Sequence, residues 1–325
     1  DTKALRTFEK HVRKVSARGI GRWWKYAAVL LFPILVVGSW KLIYEVEQVP
    51  VVTTSVSQIQ PGCSRAVLVL DDGRKVFLKE EDERVISEDK GITVTGEKDR
   101  LVYTSSEGKN VDEIRFNELE VPRGGEYKVR LADGTLVYLN SATRMKYPVK
   151  FDEKERKVYL SGEAYFDVAK NKDCPFIIQS QDYKIRVLGT TFNLNNYEDS
   201  EELQLTLCTG KVLMNFGEEQ LKLTPGEQLV LDKTNMHLER EHVNTQNYML
   251  WMQNKLYFNR TPIQEVTRRL ERVYNCTIRL DSSFVFNNFL SGTHDNRSLE
   301  AVLESIRLAT GIKYRKANNS YILYK

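Results

Sequence analysis

The chain has few of the residues from which catalytic and metal sites are usually built. Among 325 residues there are four histidines, His11, His237, His242 and His294. None stands at the spacing of a helical metal pair, and no nucleophile motif accompanies them. The four cysteines, Cys63, Cys174, Cys208 and Cys276, form no CxxC and no Cys/His cluster, so their spacing suggests no zinc or redox centre. Scattered and flanked by apolar residues, they read as buried free thiols. A glycine-bearing stretch, GITVTGEK at 91–98, falls short of a phosphate loop: Lys98 does not follow the second glycine, and no Ser or Thr follows Lys98. Acidic pairs such as Asp152 and Glu153 fall in charged turns. These absences argue against an enzyme that turns over an external substrate, and no cofactor or metal is expected.

Long apolar runs are equally scarce, and the single one present organises the rest. The uncharged run from Tyr26 to Trp40 has 15 residues, whereas a spanning helix needs about 20. Lys25 and Lys41 bound it with stems that can snorkel, and Trp23, Trp24, Trp40 and Tyr44 supply interfacial anchors. With these included, residues 23–44 are expected to form one transmembrane helix. No A-x-A site follows, which disfavours a cleaved signal peptide. Residues 1–25 carry eight basic groups and two acids, a net +6, while the whole chain is +4. The remainder is therefore −2, and the positive excess places the amino end in the cytoplasm and the bulk outside it. The basic excess thus reports orientation in the inner membrane rather than nucleic-acid binding. Pro33 removes a backbone donor near mid-span and Gly38 weakens the next turn. Pro33 and Gly38 therefore mark a candidate region for intramembrane cleavage.

Beyond the span, short apolar stretches are broken by Gly, Asp and Asn, as in Ala66–Leu70, Lys75–Leu78, Tyr127–Leu131, Lys157–Leu160, Phe176–Gln179, Ile185–Leu188, Gln204–Cys208 and Gln228–Leu231. Alternation of Tyr127, Val129 and Leu131 with Lys128 and Arg130 has the period of a half-buried strand. An all-β region is expected. It contains an internal repeat: 61–78 aligns without gaps on 122–139, with Pro61/Pro122, Leu70/Leu131, Asp72/Asp133, Gly73/Gly134, Val76/Val137 and Leu78/Leu139 identical. Each copy reads as a hairpin with an Asp-Gly turn, so two related β units are expected, 45–118 and 119–247.

The last segment, 248–325, changes character. A strand at Leu256–Asn259 precedes a helix with Ile263, Val266, Leu270 and Val273 on one face, and Thr261 to Gln264 has the form of a capping box. Strands at Cys276–Leu280 and Phe289–Gly292 lead to a second helix carrying Leu299, Val302, Leu303 and Ile306, which Gly311 stops. Strands at Ile312–Arg315 and Tyr321–Tyr324 complete a β-α-β-β-α-β-β domain. Arg268, Arg269, Arg272 and Arg307 are expected on outer helix faces, where they could meet an acidic partner.

The segment from Leu131 to Phe216 resembles the periplasmic domain of FecR-type anti-sigma regulators. The resemblance rests on LADGTLVYLN at 131–140, Tyr147-Pro148, VYLSGEAYFDVAK at 158–170, Pro175-Phe176, VLGTTFN at 187–193, Gly210-Lys211-Val212 and PGEQ at 225–228. Trp251, Leu256, Phe258, Pro262 and Val266 resemble the carboxy-terminal domain of the Bacteroidetes branch, which is similar to the short signalling domain of secretins and TonB-linked receptors. The resemblance implies a single-pass relay. An outer-membrane TonB-dependent transporter would signal through its periplasmic domain to this chain, and an extracytoplasmic-function sigma factor would be held by cytoplasmic residues. Residues 1–22 would be the remnant of that sigma-binding region. Some members of the family cleave themselves at a Gly-Thr bond by an N-to-O acyl shift. The resemblance places that bond at Gly189-Thr190, as a single-turnover event. The expected interface to the transporter is the helix from Thr261 to Tyr274, with Arg268, Arg269 and Arg272, together with an edge strand of Tyr321, Ile322, Leu323 and Tyr324. The competing reading is a membrane-anchored periplasmic glycan-binding module.

Overall fold

The tight turns come first, because they show most directly how local sequence dictates structure. In the computed structural model, β1 (Cys63–Val69) and β2 (Lys75–Lys79) form a hairpin. It is followed by a meander of β3 (Arg84–Asp89), β4 (Ile92–Glu97) and β5 (Arg100–Ser105). After β6 (Phe116–Val121), the strands β7 (Gly125–Arg130) and β8 (Leu136–Leu139) form a second hairpin. The two hairpins turn in the same way. Gly73 has φ +85° and Gly134 φ +86°. Leu70 N–H donates to the Arg74 carbonyl as Leu131 N–H does to that of Thr135. Asp72 and Asp133 each accept from the backbone N–H two residues on, at 2.9 and 3.0 Å. Only a residue at ease with positive φ can follow the aspartate there, which is why both copies keep Asp-Gly.

The described residues are 63–79, 83–89, 92–97, 100–105, 114–295, 298–317 and 320–325. The expected span at 23–44, with Pro33 and Gly38, and the basic tail before it lie outside them. Among the described residues no helix is long and apolar enough to cross a membrane.

The remaining β strands are β9 (Thr143–Pro148), β10 (Arg156–Asp167), β11 (Phe176–Gln179), β12 (Tyr183–Val187), β13 (Thr191–Asn196), β14 (Glu202–Thr209), β15 (Val212–Phe216), β16 (Glu219–Leu223), β17 (Glu227–Asp232) and β18 (His237–His242). β10 is the organiser. Its first residues pair parallel with β11, its middle pairs with β9, and its end pairs with β8 and β13. The change of partner falls at Gly162, whose φ is +117°. A Cβ there would lie 2.5 Å from Thr143 Oγ1 and 2.7 Å from Thr143 Cα, so glycine alone permits the crossing. Strands from the two repeats are also joined directly: β1 pairs antiparallel with β6 and parallel with β7, and β5 pairs parallel with β7. One apolar core runs through the whole region, from Ala66 to Leu231. Tyr127, Val129 and Leu131 are buried in it, as their alternation requires.

A 3-10 helix, Thr245–Gln253, leads into the carboxy-terminal domain: β19 (Lys255–Pro262), α1 (Ile263–Tyr274), β20 (Thr277–Leu280), β21 (Phe289–Asp295), α2 (Leu299–Thr310), β22 (Lys313–Ala317) and β23 (Ser320–Tyr324). The order β-α-β-β-α-β-β is the one the hydrophobic pattern indicates. Ser298 caps α2 by accepting from Ala301 N–H, and Gly311 ends it at φ +74°. Leu256, Ile263, Val266, Leu270, Leu299, Val302, Leu303 and Ile306 belong to a second core.

Three expectations are corrected here. The capping box does not form. Thr261 stays in β19 and accepts from Asn259 N–H, Gln264 turns its amide to the Phe286 carbonyl, and Pro262 stands at the cap without a side-chain bond. Tyr321–Tyr324 is not an edge: β23 lies between β20 and β22, paired parallel to one and antiparallel to the other. All four thiols are free, but Cys63 is exposed and Cys208 half-buried rather than buried.

Candidate functional site

Two places concentrate unusual geometry: the turn between β12 and β13, and the junction where the carboxy-terminal domain meets the β region.

The turn holds Gly189 and Thr190. Gly189 adopts φ +141°, and a Cβ on it would lie 2.5 Å from Lys170 Cγ and 2.8 Å from Lys170 Cα. Gly210, at φ +87°, passes on the other side, where a Cβ would meet Thr190 Oγ1 at 2.8 Å and the Gly189 carbonyl oxygen at 2.9 Å. Two glycines therefore let three backbone segments stack around one peptide bond. Thr190 is 3 % exposed. Its hydroxyl donates to the Lys211 carbonyl at 3.1 Å, and its own carbonyl accepts from Val168 N–H at 3.1 Å. The ladder between β13 and β14 slips by a residue immediately afterwards, between Thr191 and Phe192. The threonine is thus buried, oriented and adjacent to a glycine carbonyl in a strained stretch of backbone.

The junction is built around Arg272, on the last turn of α1. The side chain is almost wholly buried, with its guanidinium 4.0 Å from the ring centroid of Tyr197. It donates to Asp199 at 2.8 Å and to Glu265 at 2.8 Å. The Arg272 carbonyl accepts from Gly124 N–H at 2.8 Å, so side chain and backbone both bridge the two domains. Tyr197 is in turn pinned: its hydroxyl donates to the Ser141 carbonyl at 2.7 Å, and Lys233 donates to its carbonyl at 2.6 Å. Burial disfavours the arginine's charge, but Tyr197, Glu265 and Asp199 outweigh it and hold its pKa above the ordinary value. Burial likewise pushes the Tyr197 hydroxyl up, so that it stays neutral.

The residues expected to meet a partner are distributed differently from expectation. Arg272 is not on an outer face, because Tyr197, Asp199 and Glu265 enclose it. Arg268 pairs with Glu265 at 3.2 Å and Glu201 at 3.6 Å. Arg269 donates to the Tyr257 carbonyl at 2.7 Å and lies over Phe258. Arg307, on α2, pairs with Glu304. Tyr321 and Leu323 are buried, and the Tyr321 hydroxyl bonds Glu300; Ile322 and Tyr324 are half-buried. Gly189 and Thr190 lie in the turn before β13, while Arg268 and Arg272 reach the β region at Glu201 and Asp199 and Arg269 packs on β19 of its own domain. Sequence reasoning missed Tyr197 and Asp199. They lie in a polar stretch, NNYEDS, with no periodicity to mark them. Among the described residues no group of His, Cys, Asp and Glu could hold a metal.

Comparison with known proteins bears on both places. The family model for the FecR protein matches residues 117–213, and that for the FecR carboxy-terminal domain matches 255–323. No curated protein matches the chain. Two solved structures, each of a candidate anti-sigma factor from Parabacteroides distasonis, are similar at 41% identity and a TM-score of 0.63. One covers 64% of this chain and 98% of its own, the other 65% and 99%. The matched segments include the Gly189-Thr190 turn, Tyr197, Asp199 and Arg272, so both the strained turn and the junction lie inside the shared architecture. The chain belongs to the FecR family, as a FecR-type anti-sigma factor.

Proposed function

We propose that this anti-sigma regulator is a single-pass inner-membrane relay, with its amino end cytoplasmic and its bulk periplasmic. The family implies a sigma factor as partner. In this reading the sigma factor is of the extracytoplasmic-function class and is held through cytoplasmic residues. The inward signal comes from the periplasmic signalling domain of an outer-membrane TonB-dependent transporter, and self-cleavage at Gly189-Thr190 followed by regulated proteolysis near Pro33 and Gly38 carries it across.

The observation that carries the docking part is the basic one of the two outer strands in the sheet β20-β23-β22. β23 is central, so a partner strand cannot join there. Among the described residues β22 has a neighbour on one side only, and Lys313, Arg315 and Lys316 on it are exposed. Lysines on an edge strand commonly serve to block aggregation. A basic edge is equally suited to a strand with acidic side chains, where main-chain bonds give affinity and charge gives selectivity. The docking surface is therefore moved from Tyr321–Tyr324 to Lys313–Ala317.

The test is a pull-down of the full chain with the purified periplasmic signalling domain of its cognate transporter. Binding at micromolar concentration is expected, and Lys313→Glu combined with Arg315→Glu should weaken it. No binding by the unaltered chain, or binding indifferent to the double reversal, overturns this docking mode.

A further inference from the structure

A cavity of about 580 Å³ lies between the two domains, next to the Arg272 junction. That is within the range of small-molecule clefts, about 300–1,000 Å³, and domain interfaces are where such clefts concentrate. Its floor comes from the β region and its walls from the 3-10 helix, β19 and α1. The lining is polar at its deepest point. Asn140, Glu163, Asn195 and Gln228 are all buried, yet all line the cavity. Glu163 is 7 % exposed and accepts from Asn140 Nδ2 at 2.8 Å and from Asn193 Nδ2 at 3.0 Å, one donor on each oxygen. A carboxylate has about four acceptor positions, so acceptor capacity remains. Trp251 and Tyr248 add aromatic surface, and the indole Nε1 donates to Asn193 Oδ1 at 3.2 Å, which fixes the ring.

This chemistry selects among ligands. A hydrocarbon ligand would desolvate the remaining hydrogen-bonding positions of this polar lining without replacing them. A phosphate or carboxylate ligand is disfavoured by charge, because six glutamates line the cavity against the four cations Lys255, Arg260, Arg268 and Arg269. Side-chain amides, several carboxylates and aromatic faces together match a ligand that presents adjacent hydroxyls on one side and C–H groups on the other. We propose that this interdomain cleft is a binding site for a short neutral oligosaccharide, with Glu163, Asn195, Gln204 and Gln228 bonding its hydroxyls and Trp251 or Tyr248 stacking on a sugar face. A saccharide held there touches both domains at once and reinforces the Arg272 junction. The proposal is independent of the transporter-docking reading, since the cleft and β22 share no residue.

The test uses the full chain in a detergent without a sugar headgroup, such as lauryldimethylamine oxide, because alkyl glucosides and maltosides would compete. A glycan array identifies candidates, and isothermal titration calorimetry measures the affinity of chitobiose, cellobiose, mannobiose and any array hit. The expected result is a dissociation constant of about a millimolar or tighter for at least one neutral saccharide, weakened about tenfold by Asn195→Ala. Gln204→Ala, on a half-buried side chain that donates to Glu202 in an exposed hydrogen bond, should weaken it in the same direction and covers the case in which Asn195→Ala fails to fold. Phe77→Ala, on the exposed face of β2, should leave it unchanged. Absence of binding to every neutral saccharide, or binding that neither cleft substitution weakens, overturns the proposal.

Discussion

The guanidinium of Arg272 lies 4.0 Å over the ring of Tyr197, so the last turn of α1 in one domain is stacked on the strand-to-strand turn that follows β13 in the other. This relationship converts the carboxy-terminal domain from an appendage into a docked body. It also explains why an arginine that looks like surface decoration in sequence is buried. Arginine tolerates such a site because its planar fork can stack and bond two carboxylates at the same time.

Arg272→Ala is expected to destabilise the chain by about 3 kcal/mol, the lower end for breaking a buried ion pair. The lower end applies because Asp199 keeps half of its side chain in water. Urea unfolding would measure the loss, and limited proteolysis should cut the 3-10 linker at Thr245–Gln253 faster. Arg272→Lys should recover less than half of the lost stability, because an ammonium cannot bond both acids in plane and stack. Equal stability of the lysine variant would show that charge alone holds the junction.

Thr190→Ala should abolish any fragment that begins at Thr190, which a carboxy-terminal tag and a blot would reveal. Gly210→Ala is the more discriminating change. It leaves Gly189 and Thr190 themselves unchanged, but its Cβ would sit 2.8 Å from Thr190 Oγ1 and 2.9 Å from the Gly189 oxygen, so the hydroxyl or the carbonyl must shift. It should slow cleavage by at least the factor of about a hundred that a 1 Å misplacement can cost. A single uncut band in the unaltered protein would sink the self-cleavage reading.

How far the sequence could be read follows from the range of the forces involved. Strand alternation, the Asp-Gly turns and the order of elements in the carboxy-terminal domain are local, and Tyr127, Val129, Leu131 and the turns at Gly73 and Gly134 lie where they should. The errors at Tyr321–Tyr324, at Arg272 and at the capping box concern long-range pairing. Whether Tyr321–Tyr324 sits at an edge depends on β20, more than forty residues earlier. Whether Arg272 is exposed depends on Asp199, 73 residues away. The capping box was locally plausible, but the pairing of β19 with β21 extends through Thr261 and Pro262 and takes the threonine away from the helix. Gly162 could not be recognised as the pivot of β10 because its reason, Thr143, lies on another strand.

Glu126, on β7, has its carboxyl pushed up to about 7, mainly by burial, with Lys128 opposing. The folded state therefore holds this proton more tightly than the unfolded chain, where the group titrates near 4.5. Its contribution favours folding below the unfolded value and is lost as pH rises from about 4.5 to about 7. Glu126→Gln should be more stable than the unaltered chain at pH 8, by on the order of 2 kcal/mol. The two should converge near pH 4. Thermal melts at the two pH values test this, and a constant difference between the proteins across the range would contradict it.

Glu163→Gln tests the polar floor of the interdomain cleft with almost no change in volume. Asn140 and Asn193 both aim their amide N–H₂ groups at this carboxylate. Neither can simply flip, because Asn140 Oδ1 accepts from Ser141 N–H at 2.7 Å and Asn193 Oδ1 accepts from Trp251 Nε1 at 3.2 Å. A glutamine offers one oxygen and one N–H₂, so one buried donor must face another or abandon its own bond. The cost of an unmade buried hydrogen bond is about 1–3 kcal/mol, and urea unfolding should register it. The loss should be shared with the linker: if Asn193 turns to relieve the clash, Trp251 loses its partner and the 3-10 helix loosens. A variant as stable as the parent would contradict the hydrogen-bond polarity assigned to the cleft floor.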